Sequence, residues 1–178
     1  MTFQVLWDFV PPTPSPHDSP TFVSTGAGVR LDTRRSYRRG LFRVSHSMVL
    51  RPEAATPSEV ADVVTSKVLT LRAMEAISVG SLQRWIRKQY EAHPIPAHEL
   101  ETVLCAFEVP LSKGDTVLIG YEPTADATVF AGPRSSFTSV DGVEVMRATW
   151  RCWFLAKDQP DLGRRLVSRL RPDVPMRA

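Results

Sequence analysis

The sequence predicts an α+β fold, because strand-like and helix-like segments form separate blocks along the chain. Two β-like segments come first, followed by a cluster of three helical segments around one further strand. A strand meander then precedes two amphipathic helices. Blocks of this kind, rather than a regular alternation of strand and helix, are typical of the α+β class.

The length and composition suit one domain with a hydrophobic core, since 43% of the 178 residues are hydrophobic. The first ten residues could form a short strand, but five prolines occupy the next ten positions. Proline fixes φ and lacks a backbone donor, so we interpret residues 1–20 as an extended Pro-rich N-terminal arm. The folded domain is expected over residues 21–171, with a C-terminal tail over 172–178.

The segments "TFVSTGAGVRL" and "GLFRVSHSMVL" predict the first two strands. The glycine pair Gly26 and Gly28 indicates a β-bulge or the close approach of another backbone. The hairpin between the strands is rich in arginine, and we interpret its cationic side chains as a solvated or partner-facing surface. These residues are Arg34, Arg35, Arg38 and Arg39.

The middle of the chain carries helix signals. Thr56, Pro57 and Glu59 form a capping box with proline in the first turn. The apolar stripe of this short helix consists of Val60, Val63 and Val64. After the strand "KVLTLRAM", Ser78 is predicted to cap a second helix, and a third helix opens on Pro96. The apolar face of the second helix consists of Val79, Leu82, Trp85, Ile86 and Tyr90.

Alternation of apolar residues in "TVLIGYE" predicts a strand, and "ATVFAG" and "SFTSV" continue it as an antiparallel meander. The segment "VDGVEVMRATWRCWFL" is predicted to form a helix with its Trp and Met residues inward. A last helix, "PDLGRRLVSRL", places leucines on one side and arginines on the other.

Several classes of protein are excluded or disfavoured by composition. Cys105 and Cys152 are too few for a disulfide framework and are interpreted as reduced core thiols. His93 and His98 have no third ligand in view, so no metal site and no cofactor are predicted. The net charge of +3 favours anionic partners without naming one, and neither a nucleic-acid module nor interleaved aromatics accompany it.

No apolar run is long enough to span a bilayer, and the first ten residues make a poor signal peptide or mitochondrial presequence because they include Asp8. A soluble intracellular protein is therefore expected, with a mitochondrial location left open.

Three segments give the chain a resemblance to chalcone-isomerase-like proteins over about Gly26 to Leu170. They are "GAGVR" with the following "YRRGLF", then "PLSKGDTVLIGYEPTADATVF", and finally "VDGVEVMRATWRCWFL" with the helix after it. The resemblance implies an open-faced β-sandwich, in which an antiparallel sheet is covered on one face by a layer of helices. It also implies a ligand cleft between the two layers.

The resemblance implies that Arg30 and Tyr37 hold a ligand carboxylate, as a bidentate guanidinium and a neutral phenol donor. On one continuous strand these two positions would face opposite sides unless a bulge or bend intervenes. The threonine that the isomerases carry is missing from "RRSYRRGLF", and Glu75-Ala76 replaces their Arg-Asp pair. No isomerase activity is therefore expected.

Two functions remain open at this level. The first is a non-catalytic protein that binds a fatty acid, an anionic lipid or a similar carboxylate in the cleft. The second is a structural accessory subunit of a larger assembly, with protein partners at the N-terminal Pro-rich arm and the arginine-rich hairpin.

Overall fold

A computed structural model describes residues 21–32, 39–49 and 54–170. Six strands form one antiparallel sheet in sequence order: β1 (Val23–Asp32), β2 (Arg39–Met48), β3 (Lys67–Ala73), β4 (Thr116–Glu122), β5 (Ala127–Ala131) and β6 (Phe137–Asp141). The helices are α1 (Pro57–Asp62), α2 (Val79–Glu91), α3 (Ala97–Cys105), α4 (Val143–Phe154) and α5 (Pro160–Leu166). They cover one side of the sheet, which confirms the predicted α+β class and the open-faced arrangement.

Strand β1 contains the irregularity that its glycine pair predicted, and a second one further along. Its register with β2 shifts between Ser24 and Gly26 and again between Arg30 and Leu31. A Cβ atom at Gly26 would lie 2.7 Å from the carbonyl carbon of Leu166. Only glycine therefore lets α5 approach β1 this closely.

The predicted capping box of α1 is present, because Thr56 Oγ1 accepts from Glu59 N and the Glu59 carboxylate accepts from Thr56 N. The helix is shorter than predicted, since it ends at Asp62 and leaves Val64 38% exposed. Lys67 explains this end: its Nζ donates to the carbonyls of Val60, Ala61 and Val63 at 2.9–3.0 Å. The last turn is thus capped from β3.

A chain of buried hydrogen bonds joins β1, β2, α4 and the end of α5. Trp150 Nε1 donates to His46 Nε2 at 3.0 Å, so the proton of the neutral ring lies on Nδ1, 2.7 Å from Thr25 Oγ1. Thr25 in turn donates to the carbonyl of Leu166 at 2.7 Å. Lys67 Nζ lies 4.9 Å from the centroid of the Trp150 ring and completes this cluster.

The outer edge of β1 is covered by the segment around α5. The Gln159 side-chain amide donates to the carbonyl of Val29 at 2.6 Å and accepts from Leu31 N at 2.9 Å. Arg169 N donates to the carbonyl of Thr25 at 2.9 Å. A side chain and a backbone turn therefore take the bonding positions that a further strand would use.

Two other features bear on the sequence predictions. Both cysteines are free thiols, but Cys105 is exposed on α3, so only Cys152 belongs to the core. Among the helices of the described residues, none has both the length and the apolar character that crossing a bilayer requires.

Candidate ligand site between sheet and helices

Arg30 lies on the inner face of β1, opposite Phe42 of β2, and its side chain is 0% exposed. Its Nη2 donates to Gln89 Oε1 at 2.7 Å and to the two carboxylate oxygens of Asp158 at 2.8 and 3.1 Å. The guanidinium carbon lies 5.6 Å from the centroid of the Trp85 ring, within the range of a cation–π contact.

Part of the Arg30 guanidinium has no partner in the part of the chain that the structure describes. Its Nε and Nη1 are buried and have no hydrogen-bond partner among the described residues. Leaving a buried donor unsatisfied costs about 1–3 kcal/mol. Two such donors on one cation therefore indicate a place where an acceptor, above all an anionic one, would bind favourably.

An apolar slot begins beside this cation and runs between the sheet and α2, α3 and α4. Trp85 and Gln89 touch Arg30 and also line the slot. Aromatic rings form its near wall: the Trp85 centroid lies 5.8 Å from that of Phe42 and 5.4 Å from that of Trp153. The cavity measures about 30 Å³, which is room for one or two water-sized groups.

Two hydroxyl groups in the slot are buried and hydrogen-bonded to one another. Tyr90 and Thr149 hydroxyl oxygens lie 2.7 Å apart, and Thr149 donates to the carbonyl of Val145. Burial raises the pKa of the Tyr90 phenol far above its usual value, and burial raises the pKa of the Cys152 thiol to about 12. Both groups are therefore protonated near neutral pH and are poor bases or nucleophiles.

A second cavity, of about 140 Å³, lies behind the Arg30 ion pair at the end of α2. Gln89 and Cys152 line both this cavity and the slot. Its rim is charged, with Lys88 and Lys157 beside Asp158. Gln89 thus lies between the apolar slot and a cavity that carries two lysines and one aspartate.

The other residues predicted for the site are placed as follows. Tyr37, Arg34, Arg35 and Arg38 lie outside the described residues, as do the N-terminal arm (1–20) and the tail (172–178). Arg39 is exposed on β2 and forms an ion pair with Glu75 at 3.2 Å. Within the described parts of the chain, no three or more His, Cys, Asp or Glu side chains are grouped as a metal site would require.

Sequence reasoning missed Gln89 and Asp158, which bind Arg30 within the described part of the chain. Gln89 carried a usable signal, because it lies four residues after Trp85 and three after Ile86, on the apolar face of α2. A polar residue on such a face needs a buried partner. Asp158 had no comparable signal, since it lies in an irregular segment whose position follows only from the packing of α4 and α5.

The fold can be compared with known proteins. No protein-family model matches the chain, and no significant match occurs among curated protein sequences. A crystal structure of a fatty-acid binding protein from Arabidopsis thaliana matches with a TM-score of 0.64 and 9% identity, covering 85% of this chain and 89% of that one. That structure and this one share the chalcone-isomerase-like fold, which is therefore the fold of this chain.

Proposed function

We propose that the protein is a non-catalytic binding protein for a fatty acid or a similar amphipathic carboxylate. The observation that carries this proposal is the fully buried Arg30, which has two donors without a partner among the described residues and touches Trp85 and Gln89 of an aromatic-lined slot. A carboxylate would satisfy the guanidinium, and an acyl chain would replace water against Phe42, Trp85 and Trp153. Tyr37 is proposed as a second donor to the same head group.

Binding requires the slot to widen. Sites for ligands of this size usually measure about 300–1,000 Å³, and this slot measures about 30 Å³. The α2 helix is the natural element to move, because only one of its faces is buried and it joins the slot to the Arg30 contact through Gln89. The protonated Tyr90 and Cys152 line the slot and support binding without catalysis.

The test is to titrate the protein with dodecanoate and with 1-dodecanol and to measure binding by the change in tryptophan fluorescence. Wild type should bind dodecanoate more tightly, and Arg30→Met should weaken dodecanoate binding by about 10- to 150-fold, the equivalent of one charged hydrogen-bonding interaction. Affinity for 1-dodecanol should be unchanged. Arg87→Met is the matched control, since Arg87 lies on the exposed face of α2 and pairs with Glu101. Absence of dodecanoate binding, or equal binding by Arg30→Met, contradicts the proposal.

The alternative is a structural accessory subunit of a larger assembly, mitochondrial or otherwise, that has lost ligand binding. The small volume of the slot supports it, because a core that is already filled needs no ligand. Native mass spectrometry after gentle purification separates the two functions. A ligand-free chain recovered only within a complex favours the subunit, and bound fatty acid that is lost in Arg30→Met favours the binding protein.

A further inference from the structure

We propose that Asp158 occupies the head-group position on Arg30 when no ligand is bound, so that a carboxylate ligand enters by exchange with this side chain. The inference rests on the proposed function, and it adds a residue that controls ligand affinity. Asp158 and a fatty acid present the same chemical group. The Asp158 carboxylate already places both oxygens within 3.1 Å of Arg30 Nη2. A bidentate ligand carboxylate needs Nη2 together with one of the unused donors, Nε or Nη1, so it must take the position that Asp158 holds.

The two partners of this ion pair differ in exposure. The Arg30 side chain is 0% exposed, whereas that of Asp158 is 40% exposed. A buried guanidinium that lost its counter-ion would be strongly destabilised, but an aspartate at the surface regains its hydration when it moves outward. The pair can therefore open on the Asp158 side, provided that another anion replaces it on Arg30.

The backbone next to Asp158 is held in place while its side chain has room to move. Gln159 is fixed to β1 by its two hydrogen bonds with Val29 and Leu31. The cavity of about 140 Å³ adjoins Asp158, and Lys88 and Lys157 line it. These cations provide an alternative environment for the displaced carboxylate.

The same cavity gives the route for the incoming head group. It shares Gln89 with the apolar slot, and Gln89 also binds Arg30. A ligand whose tail passes first through this cavity places the tail in the slot and leaves its head group at the guanidinium, beside the two lysines. An uncharged head group cannot replace Asp158 as a counter-ion, so the exchange also selects for anionic ligands.

The experiment compares dodecanoate and 1-dodecanol binding by wild type, Asp158→Asn and Asp161→Asn. Asparagine keeps an acceptor for Arg30 but removes the competing charge, so Asp158→Asn should tighten dodecanoate binding by about three- to tenfold and leave 1-dodecanol binding unchanged. Asp161 is an exposed acid on α5 that pairs with Arg164, and its variant should bind as wild type does. In wild type, dodecanoate should also shift the side-chain ¹³C resonance of Asp158 toward that of a hydrated carboxylate.

The outcomes separate the exchange from the proposed function. If wild type binds dodecanoate and Arg30→Met does not, but Asp158→Asn is unchanged or weaker, the exchange is wrong and the binding function stands. If Asp158→Asn bound dodecanoate and 1-dodecanol more tightly by the same factor, the substitution would only have loosened the slot, and the exchange would also be wrong. If neither wild type nor Asp158→Asn binds dodecanoate, both proposals fail. Should Asp158→Asn not fold, an unshifted Asp158 resonance in dodecanoate-saturated wild type overturns the exchange.

Discussion

His46 shows how a single buried residue can make stability depend on pH. Burial, reinforced by the nearby positive charge of Lys67, lowers the pKa of His46 well below its usual value. Both ring nitrogens form hydrogen bonds: Nε2 accepts from Trp150 Nε1, and Nδ1 lies 2.7 Å from Thr25 Oγ1. A second proton on the ring would break the bond to Trp150, so the folded protein keeps His46 neutral.

We expect the free energy of unfolding to fall as the pH drops from 6.5 to 5. In this window the unfolded chain protonates His46 and the folded chain does not, which costs at most about 1.4 kcal/mol per pH unit. Partly buried His93, whose pKa is also lowered, adds in the same direction. Urea unfolding at several pH values measures the slope.

The variants His46→Gln and His98→Gln test the assignment of this pH dependence. The slope should be smaller in His46→Gln and unchanged in His98→Gln, whose histidine is exposed on α3. An unchanged slope in His46→Gln would assign the pH dependence to other groups.

At the scale of single elements, the start of α1 depends on a side chain and the start of α2 does not. Thr56→Ala removes the bond to Glu59 N and should cost about 1 kcal/mol of unfolding free energy. Ser78 occupies the equivalent position before α2, but its hydroxyl donates to Ser81 Oγ and accepts no hydrogen bond from a backbone amide of the helix. Ser78→Ala should therefore be nearly neutral. Equal losses in the two variants, measured by urea unfolding, would contradict this difference.

A second prediction at this scale concerns the contact between β1 and α5. Gly26→Ala would place a methyl group against the backbone of Arg165 and Leu166, so the two elements must separate and the protein should be strongly destabilised. Gly80 lies in α2 with nothing within 4 Å of the added Cβ. Gly80→Ala should therefore stabilise the protein by about 0.4–1 kcal/mol. Thermal unfolding compares the two, and a tolerated Gly26→Ala would disprove the close approach.

These elements also show what sequence can and cannot predict. The capping box, the glycine irregularity in β1 and the antiparallel meander were predicted because each depends on residues close together in sequence. The length of α1 was not, because the Lys67 amino group that ends it comes from another element. Arg30 was found through a resemblance, but its contact with Asp158 joins residues 128 positions apart and follows only from tertiary packing.

At the scale of the whole molecule, the helical layer has an inner and an outer part. Helix α4 buries eight of its twelve residues, whereas α2 buries four of its thirteen. The α2 helix is also joined to α3 by the ion pair of Arg87 with Glu101. We infer that α2 and α3 form the part of the layer that separates from the sheet most easily.

Hydrogen exchange measured by mass spectrometry checks this inference. Amides of α2 should exchange faster than those of α4, and dodecanoate should slow exchange in α2 more than in β2 and β3. Equal protection of α2 and α4 without ligand would show that the layer opens as one unit, and the slot would then need another route of widening.

The covered edge of β1 has a consequence for how molecules meet at high concentration. An exposed edge strand offers free amides and carbonyls on which a strand from another copy can grow, and this is a common start of aggregation. Here the Gln159 side-chain amide takes the place of a neighbouring strand's backbone: it donates to the carbonyl of Val29 and accepts from Leu31 N. Together with the Arg169 amide, this side chain terminates the sheet at β1 and protects it against edge-to-edge polymerisation there.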